Sequence, residues 1–532
     1  MATADFIVLI LYFVLIALIG WYASRGSRDS TQDYFLGGSG IGWMAIGASL
    51  FASNISAEHF IGLAGTGSAS GLAVGQFEWL ACLILMLLGW LFVPFYLKTG
   101  VFTMPEFLET RFSPACRTYL ATVSLVAYVF TKISVAVYAG ALVLNTILGW
   151  NIWLGATLLI VATGIYTLFG GLKAVIYTDF LQAGILIAGG ALLTVLAVGE
   201  AGGMGALFAE LPSGYFNLWK SSSHPDFPWT GVLFGAPILG IWYWCTDQMI
   251  VQRTLAAKNL SHARKATLFA GFLKLLPVFI LVLPGLAGHI LYPDLKPDQM
   301  YVTLVNNLLP VGIKGLVIAG LLAALMSSLS SVFNSSSTLV VMDFYRKYKP
   351  AAPEKELVRA GQIATVALVL MGLAWLPLIG LMSEQLYLYL QSVQAYISPP
   401  IAAVFLAGLL WKRANGRGAF GALMTGLVLG ALRFVSEIAV KAKMLNRGLL
   451  HDYATFNFLH FAVFLFVVSL GVLVVLSLSA PPPAPAQLAM FEAEGVVIED
   501  DNRSLNLVLT GILLVAIAVL WFVFSPLNGF TG

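Results

Sequence analysis

Long apolar runs separated by short polar segments recur along the whole chain. A run of about 20 apolar residues is long enough to cross the hydrocarbon core of a bilayer as a helix, so each run predicts one membrane span. The pattern predicts about fourteen transmembrane helices, at residues 5–24, 42–66, 71–97, 117–147, 150–170, 174–198, 228–253, 264–292, 311–345, 357–379, 384–411, 416–440, 455–479 and 505–525. It therefore predicts an all-α integral membrane protein.

Three longer polar segments interrupt this pattern. Residues 25–41 are polar, residues 199–227 are rich in Gly, Ser and Pro, and residues 480–504 begin with APPPAPA and turn acidic. Extended, solvated backbone is expected in the last of these segments. The first apolar run has no basic leader before it, which favours a retained helix over a cleaved signal peptide.

Composition narrows the class of protein further. Of the 532 residues, 59% are hydrophobic and 10% are charged, whereas a soluble domain carries about 25% charged residues. This excludes a soluble enzyme and a disordered scaffold. A formal net charge of +3 is too small for a phosphate-binding surface, so no nucleic-acid partner is expected. The expected environment of the protein is a lipid bilayer.

The distribution of basic residues predicts the orientation. If the N-terminus is outside and the spans alternate, nineteen of the 28 lysines and arginines fall in inside loops, among them Arg25 and Arg28, and seven fall in outside loops. The positive-inside rule then places both termini on the external side of a cell (inner) membrane. The basic residues between 441 and 447 run against this trend.

A small group of ionisable residues lies inside the predicted spans, where charge is expensive and usually functional. One cluster falls in residues 47–71, which carry Ser, Asn, Glu, His and many glycines. Close helix packing accounts for the small residues but not for Asn54, Glu58 and His59. An unwound helix lining a polar cavity is the favoured interpretation. The full group is Glu58, His59, Glu78, Lys132, Asp179, Asp247 and Lys274.

A second unusual segment is residues 235–253. Pro237 and Gly240 are predicted to interrupt its apolar run, and Trp242, Tyr243 and Trp244 follow. Their position in mid-span argues against an interfacial aromatic belt, and flat aromatic faces suit an amphipathic ligand such as a sugar ring. The two unusual segments are five spans apart, as in transporters built from two inverted five-helix repeats with a binding site between them.

The third segment, residues 320–345, places hydroxyls on one helix face. Ala324, Ser327, Ser328 and Ser331 follow an i, i+3, i+4, i+7 spacing. Such a face often serves helix packing. Combined with carbonyl groups of a broken helix, its hard oxygen ligands also suit a small cation.

These segments resemble the solute:sodium symporter family, and most closely its sodium/glucose cotransporter branch. The resemblance rests on ASLFASNISAEHFIGLAGTGSASGLAVGQFEW, AVIYTDFLQ, IWYWCTDQMIVQRTLAAKN, LMSSLSSVFNSSSTLVVMDFY and SPPIAAVFLAGLLWKRANGRGAFGAL. It implies a transporter rather than an enzyme, with sodium-driven uptake by alternating access. It also implies a LeuT-type inverted five-helix repeat core.

With that core, the chain divides into five parts. Residues 1–41 hold a first extra helix and a cytoplasmic linker, and residues 42–198 hold the first repeat with core helices 1–5. Residues 199–227 form an external loop, and residues 228–411 hold the second repeat with core helices 6–10. Residues 412–532 hold three additional helices and the acidic linker 480–504.

The resemblance also implies sodium ligands. The matching positions for one ion are the carbonyls of Ala52, Ile55 and Ala324 with the hydroxyls of Ser327 and Ser328. A second sodium site, present in part of the family, matches Asp179, Ser330 and Ser331. A salt bridge near a cytoplasmic helix end is the alternative role for Asp179.

For the sugar, the family positions match polar side chains that accept from hydroxyls or donate to them. An aromatic position that stacks on the sugar from the inner side matches Tyr243, with Trp244 beside it. An outer hydrophobic gate matches Leu63, Phe77 and Tyr387, and Tyr243 is the inner gate. The polar matches are Asn54, His59, Glu78, Lys274 and Gln391.

Three departures leave the solute open. Gly240, Leu388 and Ala81 stand where some relatives carry polar side chains. A hexose such as glucose or galactose is the first hypothesis, and myo-inositol or another polyol is the second. A third hypothesis, a sugar sensor or sodium-leak channel that carries no sugar, is motivated only by the acidic linker 480–504.

Overall fold

The computed structural model describes residues 1–23, 40–212, 214–379, 386–492 and 500–529, and these residues form helices joined by short connections. Ten helices of this part of the chain are long and apolar enough to cross a membrane. Arg25 and Arg28, most of the acidic stretch after residue 492 and the side chain of Glu58 lie outside what is described.

The first half of the chain contains an extra helix, Thr3–Ala23, and core helices 1–5. Core helix 1 consists of Trp43–Asn54 and Ala57–Ser70, and a 3₁₀ turn at Gly71–Gly75 leads into core helix 2. Core helix 2 comprises Gln76–Leu87, a π-turn at Leu88–Phe92 and Val93–Thr99. After Met104–Arg111, core helix 3 runs through Pro114–Ala127, a π-turn at Tyr128–Ile133 and Ser134–Leu148. Core helices 4 and 5 form one helix, Ile152–Glu200, which Gly203–Glu210 follows.

The second half begins with core helix 6, made of Trp229–Phe234, Ala236–Gly240, a π-turn at Ile241–Thr246 and Gln248–Leu255. Core helix 7 comprises Leu260–Leu273, Val278–Val282 and Leu283–Leu291, and Pro297–Gln299 and Met300–Leu308 follow. Core helix 8 is Ile313–Leu339 with a π-turn at Val340–Tyr345 and Arg346–Tyr348. Core helices 9 and 10 are Glu354–Ile379 and Leu386–Leu410. The remaining helices are Gly416–Lys441, Leu449–Thr455, Phe458–Leu478, Pro485–Glu492, Arg503–Val523 and Pro526–Asn528.

Four of the fourteen predicted spans are not separate members of these ten long apolar helices. Core helix 1 is interrupted, and its second half belongs to the continuous helix His59–Thr99. Core helix 6 is divided into short pieces. Thr3–Ile16 and Ile152–Ile165 are shorter apolar helical segments of the described part of the chain. The structure also continues one helix through the predicted gap at 171–173, where the sequence offers glycine but no proline. Glycine weakens a helix without forcing it to end.

The extra helix is attached to the core at the start of core helix 8. The Asp5 carboxylate accepts hydrogen bonds from the backbone N–H groups of Gly312, at 2.7 Å, and Gly315, at 3.1 Å. A carboxylate at this position satisfies donors that the first turn of a helix leaves free. Asp5 is therefore buried although it begins an otherwise apolar helix.

Two of the polar segments contain a helix, although extended backbone was expected for residues 480–504. Residues 199–227 contain the helix Gly203–Glu210 and return to the core, where Tyr215 accepts a 2.6 Å hydrogen bond from the Leu72 N–H. Gly71 is in the left-handed region at φ 78° and packs directly on the Tyr215 backbone, a contact that a side chain would prevent. The linker 480–504 is not wholly extended, because Pro485–Glu492 is helical.

Candidate substrate and ion sites

Core helix 1 is interrupted at Ile55 and Ser56. The Ile55 backbone has φ −80° and ψ 93°, and Ser56 has φ −113° and ψ −173°. This confirms the interruption predicted within residues 47–71. Asn54 ends the first half and His59 lies in the first turn of the second, so the break places both side chains near the middle of the core.

Four polar side chains meet beside this break. Lys274, at the end of the first segment of core helix 7, donates hydrogen bonds to the Asn54 side-chain oxygen and to the Glu78 carboxylate of core helix 2. The His59 Nε2 atom lies 3.8 Å from Glu78 Oε1. We call Asn54, His59, Glu78 and Lys274 the lysine–glutamate cluster. All four are buried, and together they offer fixed donors and acceptors suited to a ligand with several hydroxyl groups.

The break in core helix 6 falls at Asp247, after the three aromatic residues. The predicted interruption at Pro237 has a counterpart at Gly235, because one helix ends at Phe234 and the next begins at Ala236, whereas Gly240 keeps helical dihedral angles. A π-turn over Ile241–Thr246 then leads to Asp247 at φ −78° and ψ 127°. The Trp244 ring centroid lies 5.7 Å from Lys274 Nζ, which places this aromatic residue against the lysine–glutamate cluster.

A cavity at the centre of the core brings together every predicted sugar-binding side chain. Its wall includes residues from core helices 1, 2, 3, 6, 7, 8 and 10. The predicted residues on it are Asn54, His59, Glu78, Tyr243, Trp244, Lys274 and Gln391. Gly240 and Ala81, two of the departures from the family pattern, also line it.

Three polar residues of the wall had no predicted binding role, namely Ser53, Lys132 and Gln394. Gln394 lies one turn after Gln391, and this i, i+3 spacing was a signal that the two share a helix face. Lys132 forms a 2.5 Å ion pair with Asp247. The sequence had indicated both as intramembrane charges but had assigned a partner to neither. Nothing in their sequence separation indicates this contact.

Two of the predicted outer-gate residues contact each other. The Phe77 and Tyr387 ring centroids are 6.0 Å apart in an edge-to-face arrangement, and the His59 ring lies 6.1 Å from that of Tyr387. Tyr387 packs closely on Gly62, where a Cβ would lie 2.7 Å from the Tyr387 Cβ. Leu63 is fully buried and does not line the cavity.

The predicted ligands of the first sodium ion lie where core helix 1 meets core helix 8. The Ser328 hydroxyl donates a 3.3 Å hydrogen bond to the Ser53 carbonyl, beside the break. The Ser327 hydroxyl points to the Asp179 carboxylate. Ala52, Ile55 and Ala324, whose carbonyls complete the predicted set, are buried.

The three residues predicted to bind a second sodium ion, Asp179, Ser330 and Ser331, do not hydrogen-bond to one another directly through their side chains. Asp179 accepts from Ser49 at 2.5 Å, from Ser53 at 3.0 Å and from Ser327. Ser330 instead donates to the Ser327 carbonyl of its own helix, as does Ser331. We call Ser49, Ser53, Asp179, Arg253 and Ser327 the serine–aspartate cluster.

Arg253 is the cation of this cluster. Its guanidinium lies 3.6 Å from the Asp179 carboxylate and donates to the hydroxyls of Ser49, at 2.9 Å, and Ser331, at 2.5 Å. Asp179 and Arg253 have no solvent-exposed side-chain surface. The arrangement supplies the oxygen atoms that a small hard cation prefers, and it includes the salt bridge that was the alternative role for Asp179.

Two discontinuous helices that meet at a central polar cavity, with an anion and hydroxyls beside one break, are typical of secondary transporters. Residues 34–426 match the sodium:solute symporter family. The chain belongs to that family and is a sodium-coupled solute symporter, a multi-pass membrane protein and not an enzyme.

Among its relatives, the sodium/myo-inositol cotransporter of Canis lupus familiaris is 42% identical over 91% of this chain and 74% of its own length. The sodium/glucose cotransporter 4 of Mus musculus is 42% identical over 92% of this chain and 77% of its own length. The sodium/glucose cotransporter 1 of Oryctolagus cuniculus is 41% identical over 90% and 79%.

Solved structures agree on the fold. A Na⁺-coupled sialic acid symporter superposes with a TM-score of 0.77 at 22% identity, covering 90% of this chain and 99% of its own. The nucleobase-cation-symport-1 family transporter Mhp1 superposes with a TM-score of 0.57 at 14% identity, covering 88% and 99%.

Proposed function

We propose that this protein couples inward sodium flow to the uptake of a hexose such as glucose or galactose. The observation that carries the proposal is the lysine–glutamate cluster on the wall of a cavity that Tyr243 and Trp244 also line. Charged donors and acceptors fix the orientation of hydroxyl groups, and flat aromatic side chains pack on the apolar face of a sugar ring. Relatives named for sodium/glucose cotransport support this reading.

In this proposal the serine–aspartate cluster and its neighbours bind the sodium that drives uptake. One ion would use the carbonyls of Ala52, Ile55 and Ala324 with Ser327 and Ser328. A second ion would use Asp179, Ser330 and Ser331. The described geometry supports the second ion less directly, because the Ser330 hydroxyl is engaged within its own helix.

The proposed orientation places both termini outside a cell (inner) membrane, with the loops around Lys98, Arg111, Lys258 and Arg264 in the cytoplasm. Phe77 and Tyr387 then lie on the external side of the cavity and Tyr243 on the cytoplasmic side. Alternating access would open the two sides in turn while the central site stays in place.

Uptake into liposomes tests the proposal. The purified chain is reconstituted, and entry of radiolabelled glucose, galactose and myo-inositol is measured with an inward sodium gradient and with potassium in its place. Sodium-stimulated hexose uptake is expected. Equal uptake in the two salts would contradict it.

Gln391→Ala should lower sodium-driven uptake by at least about tenfold, because it removes a polar group that faces the cavity. Gln299→Ala, the same change outside the cavity wall, is the matched control.

A polyol is the second candidate. The relative named for sodium/myo-inositol cotransport is as similar as the glucose relatives. Gly240 motivates it, because this position on the cavity wall lacks the polar side chain that some members of the family carry there. Competition of labelled glucose by unlabelled myo-inositol separates the two, since the better substrate inhibits at the lower concentration.

A further inference from the structure

Lys132 faces the sugar cavity and also holds the break of core helix 6. Its Nζ atom lies 2.5 Å from Asp247 Oδ2 and 4.6 Å from the centroid of the Tyr243 ring. The Tyr128 hydroxyl donates to the other carboxylate oxygen of Asp247 at 2.5 Å. Lys132 and Tyr128 both belong to the π-turn of core helix 3, an irregularity that often marks functional positions in helices.

Asp247 is in turn the N-cap of Gln248–Leu255, which we call the inner half-helix. Its carboxylate accepts a 2.9 Å hydrogen bond from the Met249 N–H, and the Tyr128 hydroxyl accepts from the same N–H at 3.3 Å. The ion pair therefore attaches core helix 3 directly to the first turn of the inner half-helix.

Two further side chains, one at each end, attach the inner half-helix to its surroundings. The Gln248 side chain bonds the backbone of Met104 at 2.8 Å and of Phe102 at 3.3 Å. Arg253, near its other end, is part of the serine–aspartate cluster. The inner half-helix thus lies between the sugar cavity and the cytoplasmic loops. Its first residue follows Asp247 beside the cavity, and Arg253 near its other end contacts the serine–aspartate cluster.

We propose that the Lys132–Asp247 ion pair is a positioning pair that latches the inner half-helix over the cytoplasmic exit of the sugar cavity. This inference rests on the proposed sugar symport and orientation. The ammonium that borders the cavity is the same one that holds Asp247, so a sugar oxygen that accepts from Lys132 competes with the latch. Sugar bound in the cavity weakens the attachment of the inner half-helix and favours opening toward the cytoplasm.

Thiol accessibility tests the latch without any substrate. Thr254, which is fully buried on the inner half-helix, is replaced by cysteine after the three buried native cysteines, Cys82, Cys116 and Cys245, are replaced by alanine. A membrane-impermeant maleimide is applied from the cytoplasmic side. Opening of the inner half-helix then appears as faster labelling of Thr254→Cys.

The decisive variant neutralises both partners, Lys132→Gln with Asp247→Asn, so that no unpaired charge remains buried. Labelling is expected to accelerate about tenfold, within the range that contacting residues show in double-mutant cycles. Sodium-free sugar flux should rise with it, while sugar binding at saturating sodium changes less than uptake. Lys132→Arg, which keeps the charge, should retain slow labelling.

The matched control is the double neutralisation Arg264→Gln with Asp500→Asn, which removes a 2.8 Å ion pair away from the cavity wall. It should leave the labelling rate unchanged. If the decisive variant does not fold, Tyr128→Phe keeps both charges and removes one bond to Asp247, and about threefold faster labelling is expected.

Unchanged labelling in the decisive variant, or in Tyr128→Phe if that variant replaces it, would overturn the latch even if sodium-driven uptake is normal. Absence of sodium-driven uptake in the wild type, with accelerated labelling in the variant, would instead overturn the proposed function and leave the latch standing.

Discussion

The lysine–glutamate cluster and the serine–aspartate cluster are both buried, but they differ in what a ligand must displace. Lys274 donates to both Glu78 and Asn54, and all three side chains still border a cavity. Asp179 is instead enclosed by three hydroxyl donors and a guanidinium. A sugar can therefore enter a prepared site, whereas a cation must replace contacts that already join core helices 1, 5 and 8.

The chemistry of the two clusters explains this difference. An ammonium donates and cannot accept, so Lys274 presents the same face to every ligand. A serine hydroxyl that donates to Asp179 can rotate and offer a lone pair to a cation. Sodium binding in the serine–aspartate cluster consequently changes how helices are joined, and this is the physical basis on which we expect sodium to control the conformation and sugar to respond to it.

The largest effect is expected from Glu78→Gln. The change leaves the Lys274 ammonium buried without its anionic partner, which typically costs about 3–5 kcal/mol. Sodium-driven sugar uptake should fall by at least about 100-fold and thermal stability should fall with it. Glu210→Gln, at an exposed carboxylate, is the control. Retained uptake would show that the cavity does not depend on this charge and would remove the contrast between the clusters.

Asp179→Asn should lower the affinity for sodium without lowering the affinity for sugar. It removes the anion that the hydroxyls surround but leaves the cavity wall intact, so the sodium concentration for half-maximal uptake should rise about tenfold or more. Sugar affinity measured at saturating sodium should stay within about twofold of the wild type. A large loss of sugar affinity at saturating sodium would show that the two clusters are not separate sites.

The sequence anticipated the elements of these clusters better than their contacts. The polar residues of 47–71 predicted a broken helix, because hydroxyl, amide and charged side chains are costly within an apolar span. The resemblance to the family supplied the seven predicted sugar-binding residues that line the cavity. In core helix 6 the sequence indicated the interruption beside Pro237 but not the second one at Asp247, whose side chain caps the helix that follows.

The sequence did not predict which side chains from distant parts of the chain contact each other. Lys132 and Asp247 are 115 positions apart, and each looked like an isolated intramembrane charge. The assignment of Asp179 with Ser330 and Ser331 followed the family pattern, yet the nearest hydroxyls come from Ser49, Ser53 and Ser327. Which of the seven serines of Ile313–Leu339 face a given partner depends on the neighbouring helices, which a single sequence does not show.

Ser328→Ala should have a smaller effect that sharpens the assignment of the ion site. Ser328 reaches across to the Ser53 carbonyl beside the break, whereas Ser337 bonds only the Asn334 carbonyl of its own helix. Loss of one hydroxyl ligand should raise the sodium concentration for half-maximal uptake about threefold to tenfold. Ser337→Ala is the matched control and should leave sodium dependence unchanged. Equal behaviour of the two variants would remove Ser328 from the ion site.

The smallest effect is expected at Glu109, which lies on the helix Met104–Arg111 outside the membrane-spanning segments. Its carboxylate forms ion pairs with Lys347 and Arg117 that are more exposed to water than those of the buried clusters. Burial raises the pKa of Glu109, but hydrogen bonds from Lys347 and Arg117 outweigh it and hold this pKa below the ordinary value of 4.5. Because the folded-state pKa is lowered, the stabilisation is present above the ordinary pKa and is lost as pH falls through the folded-state value.

Glu109→Gln should therefore lower the free energy of unfolding by less than about 1 kcal/mol at pH 7. The difference from the wild type should vanish below the lowered pKa, where the wild-type carboxyl is also neutral. Thermal unfolding of the two proteins in detergent at a series of pH values measures it, with Glu210→Gln as the exposed control. A difference that persists in acid would mean that Glu109 acts through packing. A difference as large as that of Glu78→Gln would mean that burial does not separate the two kinds of ion pair.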